Sequence, residues 1–453
     1  MSELRIIARH AGTVLVGQLA VMSFGIADTL IAGRYSPQAL AVLALASSIY
    51  ISIYVALNGL IQALLPVWAE LHGGGREAEV GRSVRQALYI TGSAALIGIC
   101  GLWFPDLWLW ATEVPEELWP DVRAYLRILA VALVPSLLFR LYGTLNQSLG
   151  HPRLVTGLQA AALLVKVPLS FALTFGVSGV PGLGVVGCAW ATLAVNLLMM
   201  LAGLWLLRTQ DIYRPYRLWQ RPEKPDGAVL RRFLALGVPA GLSIMVEVTS
   251  FTLMALFIAR LGAVALASHQ IAASLAAVLY MVPLALGIAS SARTGFWLGA
   301  GQRHKARRAA ALGIGLALGA ALLGAGLLFS GREALARAFS HDPQVVQAAT
   351  LWLGWVALYH LADAVQAVCA YLLRCYRITL MPLLIYTTLL WGVGLYGGYV
   401  LAYQGIEWAG WPLRASVETF WITSTVALAL VSLLFTAMVW HASRLTSPPA
   451  KMH

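Results

Sequence analysis

Charge is scarce in this sequence. Asp, Glu, Lys and Arg make up 11% of its 453 residues while 60% are hydrophobic, against roughly 25% charged residues in soluble domains. A water-soluble fold of this length is excluded. Cysteine is scarce too: Cys100, Cys188, Cys369 and Cys375 show no CxxC or metal-ligand spacing. That leaves no disulfide framework or zinc site to expect, and the four read as packing residues. No GxxxxGK[ST] loop is present, so an ATP-driven pump is not expected from this chain. GHPR and GGGR are helix-connecting turns rather than phosphate cradles. No GxSxG or HExxH occurs, and His10, His72, His151, His269, His304, His341, His441 and His453 are scattered. Neither an enzyme nor a resident cofactor is expected. No cleavable signal peptide is read, because the first apolar run follows MSELRIIARH and continues at spanning length.

What is abundant is apolar length. Runs of about 20 residues, enough to cross a bilayer, place spans near 11–32, 41–66, 87–110, 124–148, 154–176, 183–207, 234–259, 265–296, 309–330, 345–372, 379–402 and 417–441. The expected class is therefore an all-α polytopic membrane protein of twelve helices. The 42 glycines suit close helix packing in lipid. The net charge of +12 resides in short loops beside helix ends, among them Arg76, Arg82, Arg85, Arg153, Arg303, Lys305, Arg307, Arg308, Arg374 and Arg377. Alternate loops carry acids such as Asp106, Glu113, Glu116, Glu117 and Asp121. This is positive-inside patterning with both termini cytoplasmic, not a nucleic-acid surface. Trp103, Trp108, Trp110 and Trp119 read as anchors at the outer interface.

The longest polar segment, 208–232, contains Pro215, Pro222 and Pro225 and lies midway. It reads as a cytoplasmic linker between bundles 1–207 and 233–453, the latter with a short cytoplasmic tail. A repeat supports two similar halves. Shifting from Arg34 to Arg260 also lays Ala39-Leu40-Ala41 on Ala265-Leu266-Ala267, and with a one-residue gap LHGGGR (71–76) falls on LGAGQR (298–303). Halves that both begin and end inside form a parallel repeat able to rock about a central cavity.

Asp28, Glu247 and Asp363 break that repeat: Asp28 falls on Met254 and Glu247 on Val21. A charge at the bilayer centre costs at least ~2.5–3.5 kcal/mol, so such residues usually face a wet cavity and handle ions or charged substrates. Each sits in a polar stripe at helical spacing. Gln18, Gly25 and Thr29 accompany Asp28; Ser243 and Ser250 accompany Glu247; Tyr359 and Gln366 accompany Asp363. Asn58 and Gln62 on the second span extend the first-half cavity. A carboxylate tolerates the interior when neutral and binds H⁺, Na⁺ or an organic cation when ionised. The bland alternative is an acid that merely pins helices. Lys166, in the fifth span, is either a snorkelling lysine at a cavity rim or a buried partner of Asp28. Arg293 reads as a structural or gate-region arginine, and His360 stands beside Asp363 but about 60° further round the helix, from 100° per residue. Tyr54, Phe251 and Tyr280 are candidates for cation–π contacts with substrate.

Six segments together resemble one family. FGIADTLIAG (24–33), LLPVWAELHGGGR (64–76), GLGVVGCAWAT (182–192), GVPAGLSIMVE (237–247), ALASHQIA (265–272) and LYHLADAVQ (358–366) are similar to the multidrug and toxic compound extrusion (MATE) transporters, NorM-like bacterial branch. The resemblance spans roughly 5–440. It implies two V-shaped six-helix bundles in the bacterial inner membrane, alternating access, and export of cationic or amphipathic compounds in exchange for Na⁺ or H⁺, by a monomer. It also implies a cation or proton site at Asp28, an acidic pair at Glu247 and Asp363 with Tyr359 as accompanying ligand (a possible Na⁺ site), and a cavity residue at Thr192. The substrate cavity is then expected among Asp28, Lys166, Gln18, Asn58, Gln62, Thr192, Ser243, Tyr280 and Gln366.

The chain departs from that pattern where the family usually has N-x-P-x-N: here stand Lys166, Pro168 and Ser170. Thr13 replaces a proline whose second-half counterpart, Pro239, is kept, and Tyr396 stands where the eleventh span often has proline. An ammonium at Lys166 competes for Asp28, so coupling is expected mainly at Glu247 and Asp363. Two other readings are a lipid-linked oligosaccharide flippase, which would want a strongly cationic cavity, and an intramembrane enzyme using His360 with Asp363.

Overall fold

A computed structural model describes residues 2–111, 115–177, 179–404, 406–408, 411–413 and 418–445. Twelve of its helices are long and apolar enough to cross a membrane. The cytoplasmic tail expected after residue 445, the side chain of Trp108 and Glu113 lie outside the described residues. The chain divides into two compact units, Gly12–Gly241, and Leu242–His453 together with Met1–Ala11.

Gly12–Gly241 holds most of α1 (Glu3–Tyr35), then α2 (Pro37–Gln62), α3 (Leu65–Gly73), α4 (Glu77–Trp103), α5 (Asp106–Ala111), α6 (Trp119–Ser148), α7 (Pro152–Phe175) and α8 (Val186–Thr209). Two-residue strands β1 (Gly176–Val177) and β2 (Val180–Pro181) pair antiparallel between α7 and α8. Local chemistry sets these ends. Ser36 caps α2 by accepting from the Ala39 amide at 3.0 Å, and Pro37 opens the first turn without wasting a donor. α6 packs against α2, α4, α7 and α8 and is the most buried helix of this unit. The segment 208–232 is ordered rather than a loose tether. Arg85 on α4 pairs with Glu223 and donates to the Arg217 carbonyl at 2.7 Å, Gln86 donates to the Lys224 carbonyl at 3.0 Å, and Tyr89 to the Glu223 carbonyl at 2.8 Å.

The other unit holds the larger part of α9 (Gly227–Ala259), then α10 (Ala263–Gly299), α11 (Arg303–Phe339), α12 (Pro343–Cys375), α13 (Leu380–Tyr386), α14 (Gly397–Tyr403) and α15 (Glu418–Leu445). Strands β3 (Ile406–Trp408) and β4 (Trp411–Leu413) pair antiparallel. Here α12, capped by Asp342 and opened by Pro343, is the central helix, packed on α10, α11 and α15. Between α13 and α14, Thr387–Tyr396 is a π-helix. Lipid-facing positions are openly apolar: Leu164, Leu323 and Leu433 are 77%, 66% and 68% exposed. In hydrocarbon this carries no hydrophobic penalty.

Two turns at matching positions of the repeat share one backbone geometry. Gly75 (φ 67°) and Gly301 (φ 72°) both close turns in the left-handed region, where a side chain would be strained. In each turn the glycine amide donates three residues back, to His72 and to Leu298 respectively, and the next amide donates five back, to Leu71 and to Trp297. These turns align without the gap that the sequence comparison introduced. Helix ends differ from expectation where charge continues a helix. The ninth span, expected at 309–330, runs Arg303–Phe339, while the third stops at Trp103 rather than 110, before Pro105.

Candidate functional site in each unit

Burying an ammonium requires an acceptor for each of its three donors. Lys166 on α7, only 1% exposed, meets that demand. Its Nζ lies 2.8 Å from Asp28 Oδ2 on α1, and donates to Thr192 Oγ1 at 2.7 Å and to the Cys188 carbonyl at 3.1 Å, both on α8. Ser170, one turn beyond Lys166 on the same face of α7, donates to Asp28 Oδ1 at 2.9 Å. Thr192 in turn donates to the Cys188 carbonyl at 2.9 Å, which orients its lone pairs toward the lysine. The rim-snorkelling alternative for Lys166 is thereby excluded. Gln18 is buried on α1 but makes no hydrogen bond to this group. On α2, Gln62 is buried and Asn58 half-buried, with Asn58 Oδ1 lacking a hydrogen-bond partner. Tyr54 stacks on Tyr50 at 5.5 Å.

The second cluster lies in the other unit. Asp363 is buried on α12 and Glu247 half-buried on α9. Gln366, one turn from Asp363 and fully buried, joins them: its Nε2 donates to Asp363 Oδ1 at 3.0 Å and to Glu247 Oε1 at 3.1 Å. Tyr386, the last residue of α13, donates its hydroxyl to Gln366 Oε1. Trp391, in the π-helix, donates to the Val246 carbonyl at 3.2 Å, beside Glu247. Tyr359 is buried edge-on against Phe251 and Trp421, with ring centres 5.8 and 5.9 Å apart. It thus joins an aromatic group one turn from Asp363. Ser250 donates to its own helix at the Glu247 carbonyl, while Ser243 is buried one turn before Glu247. Tyr280, half-buried on α10, lies within electrostatic range of both acids.

Three further residues named from the sequence have their surroundings fixed by the fold. His360 sits against Gly324 of α11 and makes no hydrogen bond with Asp363, so the acid–base pair of the enzyme reading is not assembled. Arg293 grips Glu3 with two bonds of 2.7 and 2.9 Å, and Trp297 donates to the same carboxylate at 3.0 Å. Arg374, read as a loop cation, is buried in the last turn of α12 over the Tyr371 ring at 4.3 Å. Tyr386 and the carbonyl of Cys188 were missed. A tyrosine in a span is unremarkable in sequence, and a carbonyl leaves no mark there at all. Among the described residues, no group of three or more His, Cys, Asp or Glu side chains is placed to hold a metal ion.

A twelve-span helical membrane protein with duplicated halves and polar clusters buried inside its bundles is thus defined as a class. The MatE family model matches residues 14–172 and 239–400. The chain is 41% identical to a probable multidrug resistance protein NorM of Aromatoleum aromaticum, over 94% of this chain and 91% of that one. It is 35% identical to the multidrug resistance protein PmpM of Pseudomonas aeruginosa, over 88% and 84%. In fold it superposes on a Vibrio cholerae MATE transporter, VcmN, with a TM-score of 0.88 at 18% identity, covering 98% of each chain. The protein belongs to the MatE family.

Proposed function

We propose that the protein is a multidrug efflux antiporter, exporting cationic or amphipathic compounds in exchange for Na⁺ or H⁺ by alternating access. The names of its relatives support drug export. The observation that carries the coupling site is the Glu247–Gln366–Asp363 bridge, two carboxylates sharing one amide inside spanning helices. Like charges so placed cannot both stay ionised cheaply, so a proton, a Na⁺ or a cationic substrate is favoured between them. Loading the ion from outside lowers affinity for substrate, and losing it inside restores an acidic site. Phe251, half-buried beside Tyr359, supplies a ring for an organic cation.

In this reading Asp28 is already satisfied by Lys166, so ion coupling rests on the second cluster. The same pairing counts against a flippase, because the buried lysine offers no free positive charge to a lipid-linked phosphate. In this reading the protein works as a monomer in the bacterial inner membrane, and the positive-inside pattern supports cytoplasmic termini. Efflux of a fluorescent organic cation, with Na⁺ and pH gradients imposed independently, tests the proposal. One of the gradients accelerates efflux, and Asp363→Asn abolishes that acceleration at equal protein level. Efflux indifferent to both gradients overturns it.

A further inference from the structure

Gln366 is a reader of charge because an amide has two unlike ends. Its NH₂ end faces both carboxylates, and its oxygen end is held by the Tyr386 hydroxyl. The NH₂ end can only donate, so this orientation favours ionised acids. A protonated carboxyl carries an O–H that needs an acceptor. Gln366 can offer one only through Oε1, and that requires the amide to turn over and give up the bond from Tyr386. Tyr386 opposes that rotation. It also ends α13, where the π-helical stretch Thr387–Tyr396 begins, and that stretch is tied at Trp391 to the carbonyl preceding Glu247. A π-helix inside a spanning helix is a rare arrangement that recurs at functional sites.

We infer that Gln366 and Tyr386 are positioning residues for coupling: Tyr386 holds the Gln366 amide with its donors toward Glu247 and Asp363, and release of that bond reports loading of the acid pair to the eleventh span. The inference deepens the antiport reading and rests on the same acid pair. The other titratable or charged groups around the pair are Tyr359 and Arg374 on α12 and Tyr280 on α10, with Tyr371 of α12 beside Tyr280. Cys369, on α12, lies within range of Tyr386. The amide donates to the two acids and accepts from Tyr386, and these bonds set its orientation.

The test is an infrared titration of the protonated-carboxyl band of purified protein in lipid, with Asp363→Asn used to assign the band. Tyr386→Phe keeps the ring and removes the hydroxyl, so a protonated acid can recruit the amide oxygen at no loss. Its titration midpoint moves to higher pH by about half to one unit, the worth of one hydrogen bond. Gln366→Leu keeps the bulk, removes both donors to the acids, and moves the midpoint further in the same direction. A packing role alone would leave the midpoint fixed in both variants. Unchanged midpoints in monodisperse Tyr386→Phe and Gln366→Leu protein overturn the inference. This readout needs no transport, so shifted midpoints beside gradient-independent efflux would leave the amide's hold on the acid pair standing while removing the antiport reading and, with it, the coupling role.

Discussion

At the scale of single residues, the informative signal was an ionisable side chain inside an apolar run. It located both clusters, because burying charge is costly enough that a chain retains it only with partners or a use. The partners were less legible. Gln366 followed from its helical spacing to Asp363, whereas Tyr386 comes from a different helix and depends on packing that no periodicity encodes. Lys166 was legible as an anomaly, and its geometry makes a sharp prediction. Removing one member of a buried pair leaves the other uncompensated, at about 3–5 kcal/mol. Lys166→Met and Asp28→Asn should therefore each lower thermal stability markedly. The double variant, which removes both charges, should recover most of the loss, a coupling that a double-mutant cycle reads directly. If coupling rests on Glu247 and Asp363, the double variant keeps ion-driven efflux. Loss of ion dependence in folded double variant would return Asp28 to the coupling machinery.

At the scale of elements, the apolar cores of the spans were legible and their ends were not. α11 continues past its apolar stretch because Glu333 and Arg337 pair one turn apart and sustain the helix where hydropathy has already fallen. The π-helix at Thr387–Tyr396 left no compositional trace, since a change in hydrogen-bond register does not require different residue types. Segment 208–232 reads as a linker because it is polar and proline-rich, and side chains of α4 hold its carbonyls at Arg217, Glu223 and Lys224. The Arg85 guanidinium pulls the Glu223 carboxyl down to about 2. A carboxyl lowered from its ordinary 4.5 contributes stability fully present above that value and lost as pH falls toward 2. The clasp is therefore closed at neutral pH. Glu223→Gln should mimic acid: at pH 7, amide exchange across 217–226 should rise about tenfold, the worth of one charge-assisted bond. Exchange in the variant that matches wild type would show that the carbonyl bonds from Gln86 and Tyr89 suffice.

At the scale of the whole molecule, the count of exchangeable charges limits what the proposed cycle can do. With Asp28 neutralised by Lys166, the two carboxylates of the second cluster remain to carry ions, and a monovalent cationic substrate occupies the same negative charge as one coupling ion. Exchanged one for one, such a substrate leaves no net charge to cross, so the membrane potential does no work on it. A neutral amphipathic substrate exchanged for one cation moves one charge, worth ~2.3 kcal/mol per 100 mV, or roughly a fiftyfold gradient at ~1.4 kcal/mol per decade. In proteoliposomes with equal Na⁺ and pH on both sides, a potassium-diffusion potential should therefore drive net transport of the neutral compound and leave the monovalent cation unmoved. Lys166 makes this more than general bookkeeping. The Lys166→Asn variant frees Asp28 as a third carboxylate, and if that site then loads an additional ion, the same potential should begin to drive the monovalent cation. A wild-type protein that moves the monovalent cation as strongly as the neutral compound would mean more than one ion per substrate. Either both acids of the second cluster then load an ion, or the Lys166–Asp28 pair opens during the cycle.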